Sequence, residues 1–358
     1  MKRNINQFLL AGLALCAMAT SLTSCKNGDQ QFPDYEGGTS VYFAYQYPVR
    51  TIVLGDDEYD TTLDKAHKCK IMATFGGSYN GTNGSVQVAV DPTLVAGLTF
   101  ADGSPVKVMP ESYYQLQTTT FDFKGTMNGG TEVQLTDAFF NDPEAVKNTY
   151  VIPLVMTGQT GFSRILSGML KEGGNPVRTD ETQWEIAPMD YVLYCVKYQN
   201  KYHGYWLTNG NSSIDDIEKA PTRFIETRSM NTVVYHASYT TNDYWQYKRD
   251  KDGHKTNETV KVSKTWNIDL LLTFDGSDHC TITPVTDGIT ATGTGSWSDD
   301  GAKKSWNNKD RDLMELSYNI DFNETDELGN AQKAAVSEKL VWQRSGVTIE
   351  EFSPVYTK

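Results

Sequence analysis

From Val41 onward the chain alternates apolar and polar positions over short runs, and a turn signal closes each run. In "VYFAYQYP", Val41, Phe43, Tyr45 and Tyr47 alternate with Tyr42, Ala44 and Gln46, which predicts a strand ended by Pro48. "SVQVAVDP" repeats the pattern through Val86, Val88 and Val90, and "FDFKG" through Phe121 and Phe123. "TYVIPLVMTG" (149–158) is apolar on both faces and predicts a buried strand, which Pro153 would confine to an edge or a bulge. Only "DPTLVAGL" and "TDAFFNDPEAVKN" predict short helices. Residues 158–178 loosen into Gly, Ser and Asn and read as a loop, after which "DYVLYCVKYQN" resumes as a strand. Beyond Asn200 the strands lengthen. "WNIDLLLTF" places Trp266, Ile268, Leu270, Leu272 and Phe274 on one face, and "LMELSYNIDF" does the same with Met314, Leu316, Tyr318, Ile320 and Phe322. Asp252-Gly253, Asp275-Gly276 and Asp300-Gly301 are the expected hairpin turns. The pattern is all-β: a sandwich over 39–198, then an antiparallel barrel or second sandwich over 199–358.

The first 38 residues follow different rules. Lys2 and Arg3 precede an apolar run from Phe8 to Ala19, the arrangement of a signal peptide over 1–24. Leu22-Thr23-Ser24-Cys25 resembles a bacterial lipobox, which implies cleavage before Cys25 and lipid on its sulfur. Residues 25–38, with Pro33 and Gly37-Gly38, then read as a tether from a lipid anchor to the first strand. Acyl chains contribute about 0.8 kcal/mol per buried CH₂, so an acylated Cys25 would hold the chain at a membrane by the anchor alone. Lys26, Asn27, Gly28 and Asp29 resemble the charged export signal that moves Bacteroidetes lipoproteins to the cell surface, and that resemblance implies an outer-membrane, surface location.

Charge and cysteine content narrow the partners. Loss of Lys2 and Arg3 takes the formal charge from −13 to −15, and no dense basic stretch offsets it, which argues against nucleic acid. Cys69, Cys195 and Cys280 are odd in number, widely spaced and without CxxC, so they read as buried thiols. Five histidines without HxxH spacing give no reason to expect a catalytic metal, and no cofactor motif occurs. The carboxylate clusters Asp56-Asp57-Glu58, Asp215-Asp216 and Glu350-Glu351 read as solvated charge rather than as a glycosidase pair, so no catalytic residue is assigned.

Three stretches carry a family resemblance: "SVYFAYQYPVRTIVLGDD", "VQLTDAFFNDPEAVKNTYVIPLVMT" and "DYVLYCVKYQNKYHGYW". Together they resemble a two-domain lipoprotein family of gut Bacteroidetes, whose N-terminal domain also precedes the catalytic domain of secreted endo-β-N-acetylglucosaminidases. The resemblance implies an immunoglobulin-like sandwich and a place in a polysaccharide-utilisation system as an accessory glycan-binding protein, with an outer-membrane transporter complex as a further partner. The second half is more loosely similar to calycin or lipocalin-like barrels: "HGYW" (203–206) resembles their Gly-x-Trp opening strand, with Arg344 placed to cover that tryptophan.

Aromatic residues point to the binding half. A sugar offers an apolar C–H face and a rim of hydroxyls, so a protein holds it with an aromatic ring and polar partners. All seven tryptophans lie at or after Trp184. Trp206, Trp266 and Trp342 sit in apolar stripes and read as core. Trp245, flanked by Tyr244 and Tyr247 in "TTNDYWQYKRD", and Trp306 with Asn307 in "KKSWNNKDRD" sit in polar hairpins, with Trp297 intermediate. These six residues are the candidate ligand contacts for an oligo- or polysaccharide. The alternative for each ring is a half-buried position over its own hairpin. An adhesive surface protein with a protein partner, or a glycan hydrolase, are the competing classes.

Overall fold

The computed structural model describes residues 33–214 and 221–356, apart from the Trp306 side chain. The signal segment 1–24 and Cys25 lie outside the described residues. The fold is all-β, a two-sheet sandwich joined to a closed barrel.

The sandwich packs two sheets through a core of Val41, Phe43, Ile71 and Phe75 against Ile52, Leu154, Val196 and Tyr198. One sheet runs Arg164–Ile165, Ser40–Tyr42, Lys68–Gly76, Asn128–Leu135, Tyr114–Leu116. The other runs Glu350–Glu351, Pro48–Val53, Tyr191–Gln199, Tyr150–Thr160, Ser85–Val90, Thr120–Asp122. Its outer face is covered as well, by Leu94, Leu98, Phe100 and Val106 over Val151, Leu193 and Cys195. Burial on both faces is why Tyr150–Thr160 carries an unbroken apolar run rather than an alternating one.

Three details of the first half differ from the pattern-based reading. Tyr150–Thr160 is a central strand despite Pro153. The Pro153 carbonyl accepts from Asp91 N–H just beyond the last residue of Ser85–Val90, so the missing proline N–H falls where that neighbour ends. The bulge lies later, between Met156 and Gly158. Pro48 opens a strand instead of closing one, at a first position where no ladder donor is needed, and the strand before it stops at Tyr42. Residues 158–178 include the end of Tyr150–Thr160 and two short strands, Arg164–Ile165 and Met169–Leu170. Both expected helical segments form single turns, Pro92–Val95 and Asp137–Phe140 with Pro143–Val146.

The barrel's eight strands are Gly204–Ser212, Thr222–Ser229, Thr232–Arg249, Lys255–Phe274, His279–Pro284, Thr290–Ala302, Arg311–Thr325 and Ala331–Arg344. Each is antiparallel to the next, and the eighth pairs with the first from Trp206↔Trp342 to Ser212↔Val336. Trp206, Tyr235, Tyr239, Leu270, Leu272, Phe274, Met314 and Tyr318 point inward and are all nearly inaccessible. Eight strands enclose only enough room for side chains, and aromatic rings fill it. Inward Gly293 lets the sixth and seventh strands crowd together, since a Cβ there would lie 2.3 Å from the Tyr318 Cβ. Outward positions on the seventh and eighth strands are Glu315, Ser317, Asn319, Asp321, Lys333, Ser337 and Lys339, the reverse of a barrel seated in lipid. Among the described residues no helix is long and apolar enough to cross a membrane.

The barrel is inserted into the sandwich sheet. It leaves from Tyr191–Gln199 and returns to Glu350–Glu351, and both strands flank Pro48–Val53. The tail buries Phe352 against Tyr47 and Phe100, at ring distances of 5.4 and 5.1 Å, and pairs Val355–Tyr356 with Leu98–Thr99. The outgoing crossing is also tied down. Asn200 accepts from Tyr202 N–H and donates to the Ser229 carbonyl, while Tyr202 stacks on Phe274 at 3.7 Å and donates to Asp278.

Candidate functional site

The third and fourth barrel strands, of 18 and 20 residues, run on past the rest of the wall as a long hairpin. A register shift between Thr241 and Tyr244 resets the alternation, after which Tyr244 is buried while Asp243, Trp245 and Tyr247 share the opposite face. The Tyr244 ring meets Trp266 edge-on, and its hydroxyl donates to Glu324 Oε1 at 2.8 Å. Glu324 also accepts from Trp266 Nε1–H at 2.9 Å and pairs with Lys264 at 3.1 Å. Burial opposes its ionisation, but these donors outweigh burial and hold its carboxyl below the usual range. Tyr244 therefore belongs to the plug that closes this end of the barrel.

Trp245 and Tyr247 are half-buried on the outer face. Lys261, directly across the hairpin from Trp245, stands 5.1 Å from the indole centroid and pairs with Asp243 at 2.7 Å. Lys255 stands 5.2 Å from the Tyr247 ring and pairs with Glu327 at 3.1 Å. The free edge of the hairpin is capped by the loop after the seventh strand: Glu327 N–H donates to the Trp245 carbonyl, and Tyr247 N–H donates to the Glu327 carboxylate. The capped edge keeps the two rings in fixed register. The result is a short polar and aromatic strip, Asp243, Trp245, Tyr247 and Lys261, at the end of the barrel away from the sandwich.

The other three candidates lie at the opposite end. From Thr232 to Trp245 the strand spans roughly 40 Å, so the two groups form no common surface. Trp297 is half-buried, with its backbone N–H on the Asp278 carbonyl, the Tyr202 ring edge-on at 5.8 Å, and Lys201 Nζ 3.9 Å above its own ring. That makes it part of the barrel base. Trp306 opens a single turn, Trp306–Asn308, in which Asn307 is exposed and adopts a left-handed backbone (φ 55°). The chain reverses here, not at Asp300-Gly301, which sits in a bulge of the sixth strand between Ser298 and Ala302. Arg344 also differs from expectation: it covers Tyr205, at 4.2 Å, while Trp206 is sealed inside with its Nε1–H on the Tyr202 carbonyl.

Two ionisable clusters, each built around one buried carboxyl, Asp312 or Glu338, escaped the sequence reading because their members are far apart along the chain. Asp56 of the sandwich meets Asp299 and Asp312 of the barrel. Burial, with repulsion from Asp299 and Asp56, pushes the Asp312 carboxyl up to about 6. Inside the barrel, Glu338 is pushed upward by burial although the Tyr318 hydroxyl donates to it, and its Oε2 has no partner. The three thiols behave as expected: Cys69, Cys195 and Cys280 are buried and free, and burial lifts each to about 12.

A crystal structure of a Bacteroides ovatus protein of unknown function aligns over 91% of this chain and 100% of its own, at 31% identity and a TM-score of 0.73. The chain belongs to the family of that protein. Within this Bacteroidetes family, residues 201–346, the barrel, match a domain of unknown function, DUF5627, and residues 35–163 match a "-like, N-terminal domain". Two more Bacteroides ovatus structures, a multidomain protein including DUF1735 and a protein of unknown function, each align over 85% of the chain. They cover 94% and 90% of their own chains, at 11% and 9% identity and TM-scores of 0.35 and 0.34, and nothing further rests on them. No curated protein matches the chain.

Proposed function

We propose that this family member is a non-catalytic, lipid-anchored surface protein that captures an oligo- or polysaccharide. The observation that carries the reading is the strip of Trp245 and Tyr247 with Asp243 and Lys261 on the projecting hairpin. A ring face can take the apolar side of a sugar while the carboxylate and ammonium meet its hydroxyls. Lys261 is exposed enough to swing aside, so a sugar ring can replace it over the indole at little cost. The Leu22–Cys25 motif supports anchoring, and an outer-membrane transporter complex would receive the captured glycan.

The test is retention on native gels cast with single polysaccharides. Trp245→Ala should lose the retention seen for the wild type, with Tyr247→Ala weaker by roughly fivefold, since one aromatic contact contributes about 1 kcal/mol. Melting temperatures should change little, because both rings are only half-buried. If Trp245→Ala is retained like the wild type, the hairpin is not the site. Product release from the same polysaccharides on long incubation would replace capture by hydrolysis.

A further inference from the structure

Each ring of the hairpin strip already carries a cation. Lys261 Nζ stands 5.1 Å from the Trp245 ring centroid, and Lys255 Nζ stands 5.2 Å from that of Tyr247. Arg249, paired across the hairpin with Lys255, joins them. Its Nη2 lies 2.9 Å from Glu327 Oε1, and Lys255 Nζ lies 3.1 Å from the same oxygen. The other oxygen of that carboxylate accepts from Tyr247 N–H at 2.6 Å. Lys261 pairs with Asp243 at 2.7 Å. Three cations therefore share two carboxylates, on a chain whose formal charge is −13.

Neighbouring carboxylates are engaged elsewhere. Asp326 is 4% exposed and accepts from the backbone N–H groups of Leu328 and Asn330, and Asp250 accepts from those of Asp252 and His254 in the hairpin turn. The three cationic side chains, by contrast, are 47–52% exposed, so their heads are open to a ligand. A saccharide that stacks on either ring displaces the ammonium from it and breaks a cation–π contact. A neutral sugar gives the displaced ammonium only hydroxyls. An acidic sugar gives it a full negative charge, and a charge-assisted hydrogen bond is roughly twice as strong as a neutral one.

We propose that the hairpin strip selects an acidic saccharide, one whose rings stack on Trp245 and Tyr247 while its anionic groups meet Lys261, Lys255 and Arg249. The assignment rests on the hairpin being the capture site and names the class of glycan it takes. Arg249 and Lys255, which have one carboxylate oxygen between them, are the pair that an external anion relieves most. Repulsion from the acidic remainder of the chain is screened within about 8 Å at physiological salt. The strip lies beyond most of that charge, at the end of the barrel away from the sandwich.

Solid-phase binding to immobilised polygalacturonate, alginate and chondroitin sulfate, against galactan, mannan and dextran, tests the assignment. At least one acidic polymer should bind roughly tenfold tighter than any neutral one, and the preference should shrink as salt rises. The two uronate polymers and the sulfated one distinguish a carboxylate from a sulfate as the source of charge. Lys255→Gln and Lys261→Gln should each weaken acidic binding roughly fivefold. Both should leave binding of neutral polymers equal or tighter, because each uncovers a ring, and should leave the melting temperature unchanged. Neutral polymers bound as tightly as acidic ones, with Trp245→Ala abolishing both, would overturn the acidic preference and leave capture at the hairpin standing. Binding to none of the six would remove both readings. Acidic binding unchanged in both lysine variants, or equal binding of single-stranded DNA, would reduce the effect to general attraction of polyanions and overturn the proposal.

Discussion

Asp312 carries a carboxyl that is 5% exposed and titrates near 6, against about 3.9 in an unfolded chain. Because the folded value is raised, its favourable contribution is complete below about pH 4 and is lost as pH rises through 6. Two units correspond to about 2–3 kcal/mol. Asp312→Asn keeps an oxygen for the Asp300 N–H and removes the charge facing Asp56 and Asp299. The variant should therefore exceed the wild type by about 2 kcal/mol at pH 8 and match it at pH 4, as measured by urea midpoints; equal midpoints at pH 8 would remove Asp312 as a source of strain. His203 works in the opposite sense. Its folded value is depressed to about 4, so its contribution is complete above about 6.5 and lost as pH falls. The two groups offset each other in the wild type between pH 4 and 6.5, which is why the difference between variants is the informative measurement. Glu338 is a simpler case: burial pushes its carboxyl upward although the Tyr318 and Tyr235 hydroxyls and Arg223 favour the charge, so Glu338→Gln, which removes the buried charge, should raise the urea midpoint at neutral pH.

Elements were legible in the sequence where one face is buried and one is wet. Alternation over Trp266–Phe274 and Leu313–Phe322 identified every inward side chain of those runs, because period two in sequence is period two in space. Legibility failed where neighbours decide. Pro153 occupies a central strand only because the adjoining strand stops opposite it, and Asp300-Gly301 is absorbed by a bulge; neither fact is local. Tyr244 was misjudged for the same reason, since the shift after Thr241 turns it inward while Trp245 stays out. The tail was the largest miss at this scale. "EEFSPVYTK" holds too few apolar residues to announce a strand, yet Phe352 is 7% exposed between Tyr47 and Phe100. Phe352→Ala should lower stability by about 3 kcal/mol. Thermal melts should place that loss in the sandwich, and a loss under 1 kcal/mol would mean that the tail merely rests on the surface.

At the scale of the whole molecule, the insertion of the barrel between two strands of one sheet ties the halves together at both ends. A boundary drawn near residue 199 from a change in strand length captures the outgoing crossing and is blind to the return. The same architecture gives the proposed anchor a mechanical meaning. The described chain begins at the sandwich, while the Trp245 hairpin projects from the far end of the barrel, so a lipid on Cys25 would hold the sandwich toward the membrane and the hairpin away from it. Asn200, Tyr202 and the paired tail stiffen the junction between them. Cys25→Ala should then move the protein from the membrane fraction to the soluble fraction. The melting temperature of the released protein should equal that of a form starting at residue 33, because no described contact depends on the anchor. Surface labelling of intact cells should fall with it. Retention of Cys25→Ala in the membrane fraction after a high-salt wash would show that something other than this cysteine holds the protein there, and the leader would then need a different reading.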